Sequence, residues 1–294
     1  MNVHLVDATF ELFRAYYSPG RSLEPGPGGR PVNAVRGLID SMLSLLRESD
    51  VSHVAAATDY VIESWRNDVY PGYKSSLGMD PLLLAQFRDA ERALRALGIT
   101  TWPMVEDEAD DGLAAAVARY REDPRVEQIV ICSVDKDLAQ CVEGERIVLR
   151  DRMRRITYDE PKVLEKFGVA PESIPDYLAL VGDSSDGYPG LPGWGSKSAA
   201  AILRRWGHVD AIPPSAAEWD VPVRGAATLA ATLREGQAEV LLYRRLATLN
   251  RDAAVDGALD DIEWRGVPRA EFESLCRELG FEGAIGRVHR WAAA

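Results

Sequence analysis

Carboxylates recur in this chain where an apolar run ends. Asp7 closes "VHLVD", Asp59 closes "HVAAATD", and Asp135 closes "QIVICSVD", with Asp137 two residues further on. A second group, Glu108, Asp110 and Asp111, opens the amphipathic stretch "EADDGLAAAVARY". A third, Asp183 and Asp186, lies in "GDSSDGYPG". A single acid at a strand end ordinarily caps the next helix, and one or two acids at a helix start answer its dipole. Three strand ends and a triple cluster exceed that need. Gathered in one crevice, so many carboxylates would repel one another and some would stay protonated. Hard divalent cations such as Mg²⁺ or Mn²⁺ take oxygen ligands and remove the repulsion. One Mg²⁺ uses only one or two carboxylates directly, so the acids predict two ions. Two ions about 3.5–4 Å apart serve in-line displacement at a phosphodiester. None of the four histidines lies within two residues of these acids.

The elements that must position these acids follow from periodicity. Residues 3–7, 53–59, 128–135 and 146–151 read as strands able to share a parallel sheet, and 33–48, 80–97 and 110–121 as helices between them. That alternation predicts an α/β fold, a mostly parallel sheet flanked by helices. Ligands of such a sheet bind beyond the carboxyl ends of the strands. Residues 19–31, dense in Pro and Gly, read as a loop. From about residue 158 the pattern changes to short helices, which predicts a core over 1–157 and a small all-helical domain over 158–294.

Two segments could hold a polyanion. "SWRNDVYPGYK" carries Arg66, Tyr70, Tyr73 and Lys74; bases beside aromatics pair with phosphates and stack on unpaired nucleobases. The alternative is a surface loop whose aromatics pack on the core. In "GLPGWGSKSAAAILRRWG", Gly193 and Gly195 permit a tight turn before a helix, and Lys197 adds a point charge. Backbone amides and a helix N-terminus there can face a phosphate.

Composition narrows the class. A 46% hydrophobic fraction is that of an ordinary globular chain, and no apolar run is long enough to span a membrane. The N-terminal stretch lacks the pattern of a signal peptide. Cys132, Cys141 and Cys276 are scattered, which fits a reducing cytoplasm better than a disulfide framework or zinc site. The net charge of −12 is unusual for a nucleic-acid binder, although a cation-binding acid cluster biases the sum and a local basic stripe can still face phosphates.

Together these motifs resemble the 5′-nuclease family: flap endonucleases and the 5′→3′ exonuclease domains of bacterial DNA polymerase I. The resemblance runs from Val3 to about Gly207 and fades beyond. It implies a PIN-like nuclease core, an arch segment at about 64–95, and a helix-hairpin-helix motif at about 176–207. It also implies two divalent metals, held by Asp7, Asp59, Glu108, Asp110, Asp111, Asp135, Asp137, Asp183 and Asp186, with K⁺ at the hairpin. Arg66, Tyr70 and Lys74 match arch and gateway positions, with Lys74 at the scissile phosphate. The implied partners are DNA 5′ flaps, ends or junctions, with RNA flaps within the reading. The expected form is a stand-alone, monomeric, cytoplasmic, nucleoid-associated enzyme. Four positions depart from the family pattern. Leu77 stands where a second base is common, Gly187 where Asn follows the acids, Ala8 where Gly is common, and Arg36 where Tyr is common. Alternatives are a branched-DNA binder with little cleavage, a PIN-type ribonuclease, and a phosphatase using the Asp7 motif. The last leaves "EADD" and "GDSSD" unexplained.

Overall fold

The computed structural model describes residues 1–19 and 24–293; the loop expected over 19–31 therefore falls in part outside the described residues. The chain forms two compact units. The first comprises Met1–Ser64, Ser76–Ser133 and Asn250–Ala294, and the second Trp65–Ser75 and Val134–Leu249. The division at 157/158 read from composition lies inside the second unit.

With elements numbered along the whole chain, the first unit holds strands β1 (Asn2–Asp7), β2 (His53–Asp59), β3 (Thr100–Met104) and β4 (Gln128–Cys132). They lie in the order β3-β2-β1-β4, and every pairing among them is parallel. Leu5 pairs with Ala55 and Ile131, so the carboxyl ends of the strands share one edge. Nearly every residue of β1 and β2 is buried, as expected of parallel strands covered on both faces. β3 escapes a reading by periodicity because "TTWPM" is short and carries Pro103. Proline lacks the amide donor a central strand requires, and an edge strand tolerates it.

The helices of this unit are α1 (Ala8–Tyr17), α2 (Asn33–Leu45), α4 (Pro81–Leu84), α5 (Phe87–Ala96), α6 (Ala109–Tyr120) and α12 (Arg269–Glu278). The helix expected over 80–97 is broken at Gln86. Its buried side chain accepts from the amides of Ala34 (2.8 Å) and Val35 (3.2 Å) and donates to Asn33 Oδ1 (3.1 Å). Gln86 thereby caps α2, whose own N-cap, Val32, offers no acceptor. Residues past 250 complete this unit's core, with Trp264, Phe272 and Leu275 buried. Each such side chain stabilises by about 1.5–3 kcal/mol relative to exposure. Glu278 binds Arg30 (2.7 Å) and Arg92 (2.5 Å), and both arginines also bind Asp89. Arg36, one of the four departures, donates to the carbonyls of Leu279 (2.6 Å) and Gly280 (3.0 Å), capping the end of α12.

The second unit holds α3 (Trp65–Val69), an antiparallel pair β5 (Ile147–Asp151) and β6 (Ile156–Tyr158), then α7 (Glu160–Phe167), α8 (Ile174–Val181), α9 (Ser196–Trp206), α10 (Ala226–Glu235) and α11 (Gln237–Ala247). The segment expected as a fourth parallel strand is thus β5, whose pairing with β6 is antiparallel. Among the described residues no helix is long and apolar enough to cross a membrane.

Candidate metal centre and nucleic-acid surface

Five of the nine acids lie in the first unit, at the carboxyl edge of its sheet. Asp7 ends β1 and caps α1, accepting from the Phe10 amide (2.8 Å) and from Ser133 Oγ (2.8 Å). Asp59 ends β2, and its Oδ1 accepts from the Ala109 amide (2.7 Å), which draws it to the start of α6. Glu108 is the N-cap of α6 and accepts from Ser64 Oγ (2.8 Å). Asp111 accepts from the Glu108 amide (3.0 Å) and the Asn250 amide (2.7 Å), while Asp110 is half-buried in the helix's first turn. The structure thus gathers Asp59, Glu108, Asp110 and Asp111 at one helix start, and gives Asp7 and Asp111 capping work as well.

The other four acids belong to the second unit. Asp137, Asp183 and Asp186 are buried, and each offers an oxygen such that all lie within 4.8 Å of one another. Asp135 is half-buried and accepts from the Asp137 amide (2.9 Å). The loop carrying Asp183 and Asp186 is closed on itself. Asp183 and Tyr188 exchange backbone hydrogen bonds (2.8 and 3.1 Å), and the Gly187 amide donates to Asp183 O (2.9 Å). Two ammonium groups meet the cluster: Lys136 Nζ lies 2.6 Å from Asp183 and Lys74 Nζ 3.1 Å from Asp186.

Those two cations do not neutralise the cluster. Burial, then the charges of Asp135, Asp186 and Asp183, push Asp137 well above the ordinary carboxylate range, against the opposing pull of Lys136. Asp137 Oδ1 is buried and has no hydrogen-bond partner. An orphaned acceptor among converging carboxylates, with oxygen as the donor type throughout, fits a hard divalent cation. Asp137, Asp183 and Asp186 would hold it.

Lys74 is placed by its backbone. Its amide donates to Asp186 O (3.0 Å), and its carbonyl accepts from Asn67 Nδ2 (2.9 Å). Gly187 makes this approach possible. Its φ is +88°, and a Cβ there would sit deep inside contact distance of the Gly72 carbonyl oxygen. An asparagine at this position tolerates the φ but not the Cβ, which explains the departure. Leu77, by contrast, is 92% exposed, and nothing in its surroundings explains the missing base.

Two residues singled out in "WRNDVYPGYK" do other work. Arg66 is 1% exposed; its Nε donates to Leu246 O (2.8 Å) and its guanidinium lies 4.6 Å from the Trp65 ring centre. Arg66 is therefore a buried strut in this structure, not a group presented to a substrate. Tyr73 is 5% exposed and cannot stack on a base without leaving its packing. Tyr70 is half-buried, edge-on to Tyr243 at 5.9 Å.

Gly193, Gly195 and the exposed Lys197 line an open groove of about 700 Å³, together with Arg224 and Gly225. Gly195 is the N-cap of α9 and Gly225 that of α10, so two helix N-termini and two bases border one groove. Arg224 and Gly225 carry no motif, and only the fold brings them to Lys197. Lys136 was legible in principle, lying between Asp135 and Asp137.

Comparison with known proteins agrees with this layout. A family model described as "5'-3' exonuclease, N-terminal resolvase-like domain" matches residues 2–168, and one described as "5'-3' exonuclease, C-terminal SAM fold" matches 169–270. The DNA polymerase I of Bacillus caldotenax is 32% identical over 289 residues, covering 97% of this chain and 32% of that protein. The DNA polymerase I of Pseudomonas aeruginosa is 34% identical over 302 residues, covering 98% and 31%. The chain therefore spans about a third of the length of these relatives. Among solved structures, T5 5'-exonuclease with bound zinc ions superposes with a TM-score of 0.65 at 18% identity, over 85% of this chain and 90% of that one. The catalytic core of Rad2 in complex with DNA substrate gives 0.61 at 15%, over 94% and 87%. At these identities the structural likeness is one of fold: a resolvase-like, PIN-like core with a helical SAM-like part. With both parts matched and the acid motifs intact, the chain belongs to the 5′–3′ exonuclease family.

Proposed function

We propose that this chain is a structure-selective 5′-nuclease that hydrolyses DNA phosphodiesters near 5′ ends, flaps or junctions with the aid of two divalent cations, Mg²⁺ or Mn²⁺. The observation that carries the reading is the buried triad Asp137, Asp183 and Asp186 with the orphaned Asp137 Oδ1 and Lys74 at its rim. Bound divalent cations supply an activated water and stabilise charge on the phosphorus oxygens. The side chain of Lys74, 36% exposed and held by Asp186, can turn its ammonium to the scissile phosphate and stabilise the charge that develops there. Asp135 on the second unit, and Asp7, Asp59, Glu108, Asp110 and Asp111 on the first, are the further acids of this reading, as ligands or as acceptors for cation-bound hydration. The groove at Gly193, Gly195 and Lys197 grips a phosphodiester backbone through amides and helix dipoles, with K⁺ at the hairpin turn. Tyr70 flanks the strand. The enzyme acts as a cytoplasmic monomer and accepts RNA flaps as well as DNA. A net charge of −12 keeps its affinity for nucleic acid modest, with a salt dependence set by the number of basic side chains that meet phosphates.

The test uses a 5′-flap duplex labelled at the flap, with purified protein in Mg²⁺, Mn²⁺ or EDTA. Cation-dependent cutting near the junction is expected, lost in the double variant Asp135→Asn, Asp137→Asn and lowered about 10²–10³-fold in Lys74→Ala. Flap binding without cutting in either metal would mean that the scaffold clasps branched DNA and does not cleave it.

A further inference from the structure

One buried group beside the acid cluster has no role in the account above. Tyr188 is 1% exposed, and its hydroxyl has no hydrogen-bond partner. Its position is fixed from two sides. Its backbone pairs with Asp183 across the closed loop, and its ring stacks on Tyr243 of α11 at 5.5 Å with 19° between the planes. The hydroxyl lies within electrostatic reach of the cluster. Burial, then Asp137, Asp186 and Asp183, push the phenol upward, and Arg66 pulls the other way. A tyrosine hydroxyl, which ordinarily ionises near pH 10, is a neutral O–H at physiological pH, able to donate once and accept.

A buried hydroxyl without a partner is a liability of about 1–3 kcal/mol. Its backbone partner Asp183 shares the acid cluster with a second orphan, Asp137 Oδ1, an acceptor. A donor and an acceptor, both buried and both unpaired, one on the acid cluster and one on the loop that carries two of its members, describe a site completed by something placed among them.

The geometry points to Tyr188 as a positioning residue of the divalent-cation site, its hydroxyl acting as an outer-sphere hydrogen-bonding partner for the carboxylates and hydration shell of the ion held by Asp137, Asp183 and Asp186. The inference rests on the metal-site reading above. A neutral phenol can donate to a carboxylate oxygen and accept from a hydration water of the ion, fixing both without adding charge. Groups of this kind typically govern about 10–100-fold in metal affinity.

The test is Tyr188→Phe, which keeps the ring and its stacking and deletes only the oxygen. Mn²⁺ binding is measured by calorimetric titration on the full chain without nucleic acid, and thermal melting is followed in EDTA and in excess Mn²⁺. Wild type is expected to bind Mn²⁺; the variant should bind at least tenfold more weakly and melt in EDTA no lower than wild type. A smaller change in affinity overturns the assignment. So does a lower melting temperature in EDTA, because the hydroxyl would then already be used within the fold. If wild type itself binds no Mn²⁺ and gains no melting temperature from it, the metal-site reading fails, and with it this one. Asp137→Asn is the positive control, expected to lose binding in every case where wild type has it.

Discussion

Gly187 offers the sharpest separation of backbone strain from close approach. Its φ is +88°, and that of Gly78 is +89°, yet a Cβ at Gly78 meets nothing within 4 Å while one at Gly187 collides with the Gly72 carbonyl. Alanine at either position bears the cost of left-handed backbone, about 1–2 kcal/mol. At Gly187 the segment at Gly72 must also retreat by roughly an ångström, and overpacking of that kind adds about 1–3 kcal/mol. Gly78→Ala should therefore lose about 1–2 kcal/mol in urea unfolding and Gly187→Ala about 2–5 kcal/mol. The retreat also carries Lys74, whose amide is bonded to Asp186 O at 3.0 Å. A misplacement of about 1 Å at a catalytic group lowers turnover by as much as about 10²-fold. Flap cleavage at saturating substrate should thus fall in Gly187→Ala and hold in Gly78→Ala. Equal stability losses in the two variants, or unchanged turnover in folded Gly187→Ala, would refute the reasoning.

Two further outcomes concern the C-terminal segment. Arg36→Ala leaves the carbonyls of Leu279 and Gly280 without their guanidinium, and charge-assisted bonds of this sort contribute about 1.5–3 kcal/mol. The loss should appear in urea unfolding and as faster amide exchange in the last turn of α12. Glu278 is held down at about 2, by hydrogen bonds from Arg92 and then Arg30, against an ordinary value of 4.5. A depressed carboxylate contributes stability that is present above its unfolded value and is lost as pH falls toward the folded one. Glu278→Gln should therefore melt lower than wild type at neutrality, by a margin that the partial exposure of these charges keeps small, and should flatten the profile between pH 4.5 and about 2, where the two proteins converge.

What the sequence disclosed, and what it hid, divides along physical lines. Strand ends at Asp7 and Asp59, and the acidic start of α6, were legible because burial on both faces leaves an unbroken apolar run and a helix start draws carboxylates. The strand at Thr100–Met104 was hidden by Pro103, and the break at Gln86 by a tertiary demand: α2 needed a cap. Arg66 and Tyr73 looked like substrate contacts because a base beside an aromatic has the same composition in a groove and in a core. Only burial separates the two. Tyr188 could not be found at all, since a tyrosine's hydroxyl acquires meaning only from what surrounds it. Gly187, visible as a departure, is explained by a carbonyl more than a hundred residues away.

The first unit's use of residues beyond Asn250 bears on how the chain is made. Synthesis proceeds at about 5–20 residues per second, so residues 134–249 are translated, and can begin to pack, before Trp264, Phe272 and the carbonyl partners of Arg36 exist for the sheet of β1–β4. The strands translated before residue 134 are thus finished only after residue 250. For several seconds the α5 face, with Arg92 and Asp89, waits for a helix not yet translated. A nascent chain halted near residue 249 should accordingly expose apolar surface on the first unit, where a chaperone would bind it.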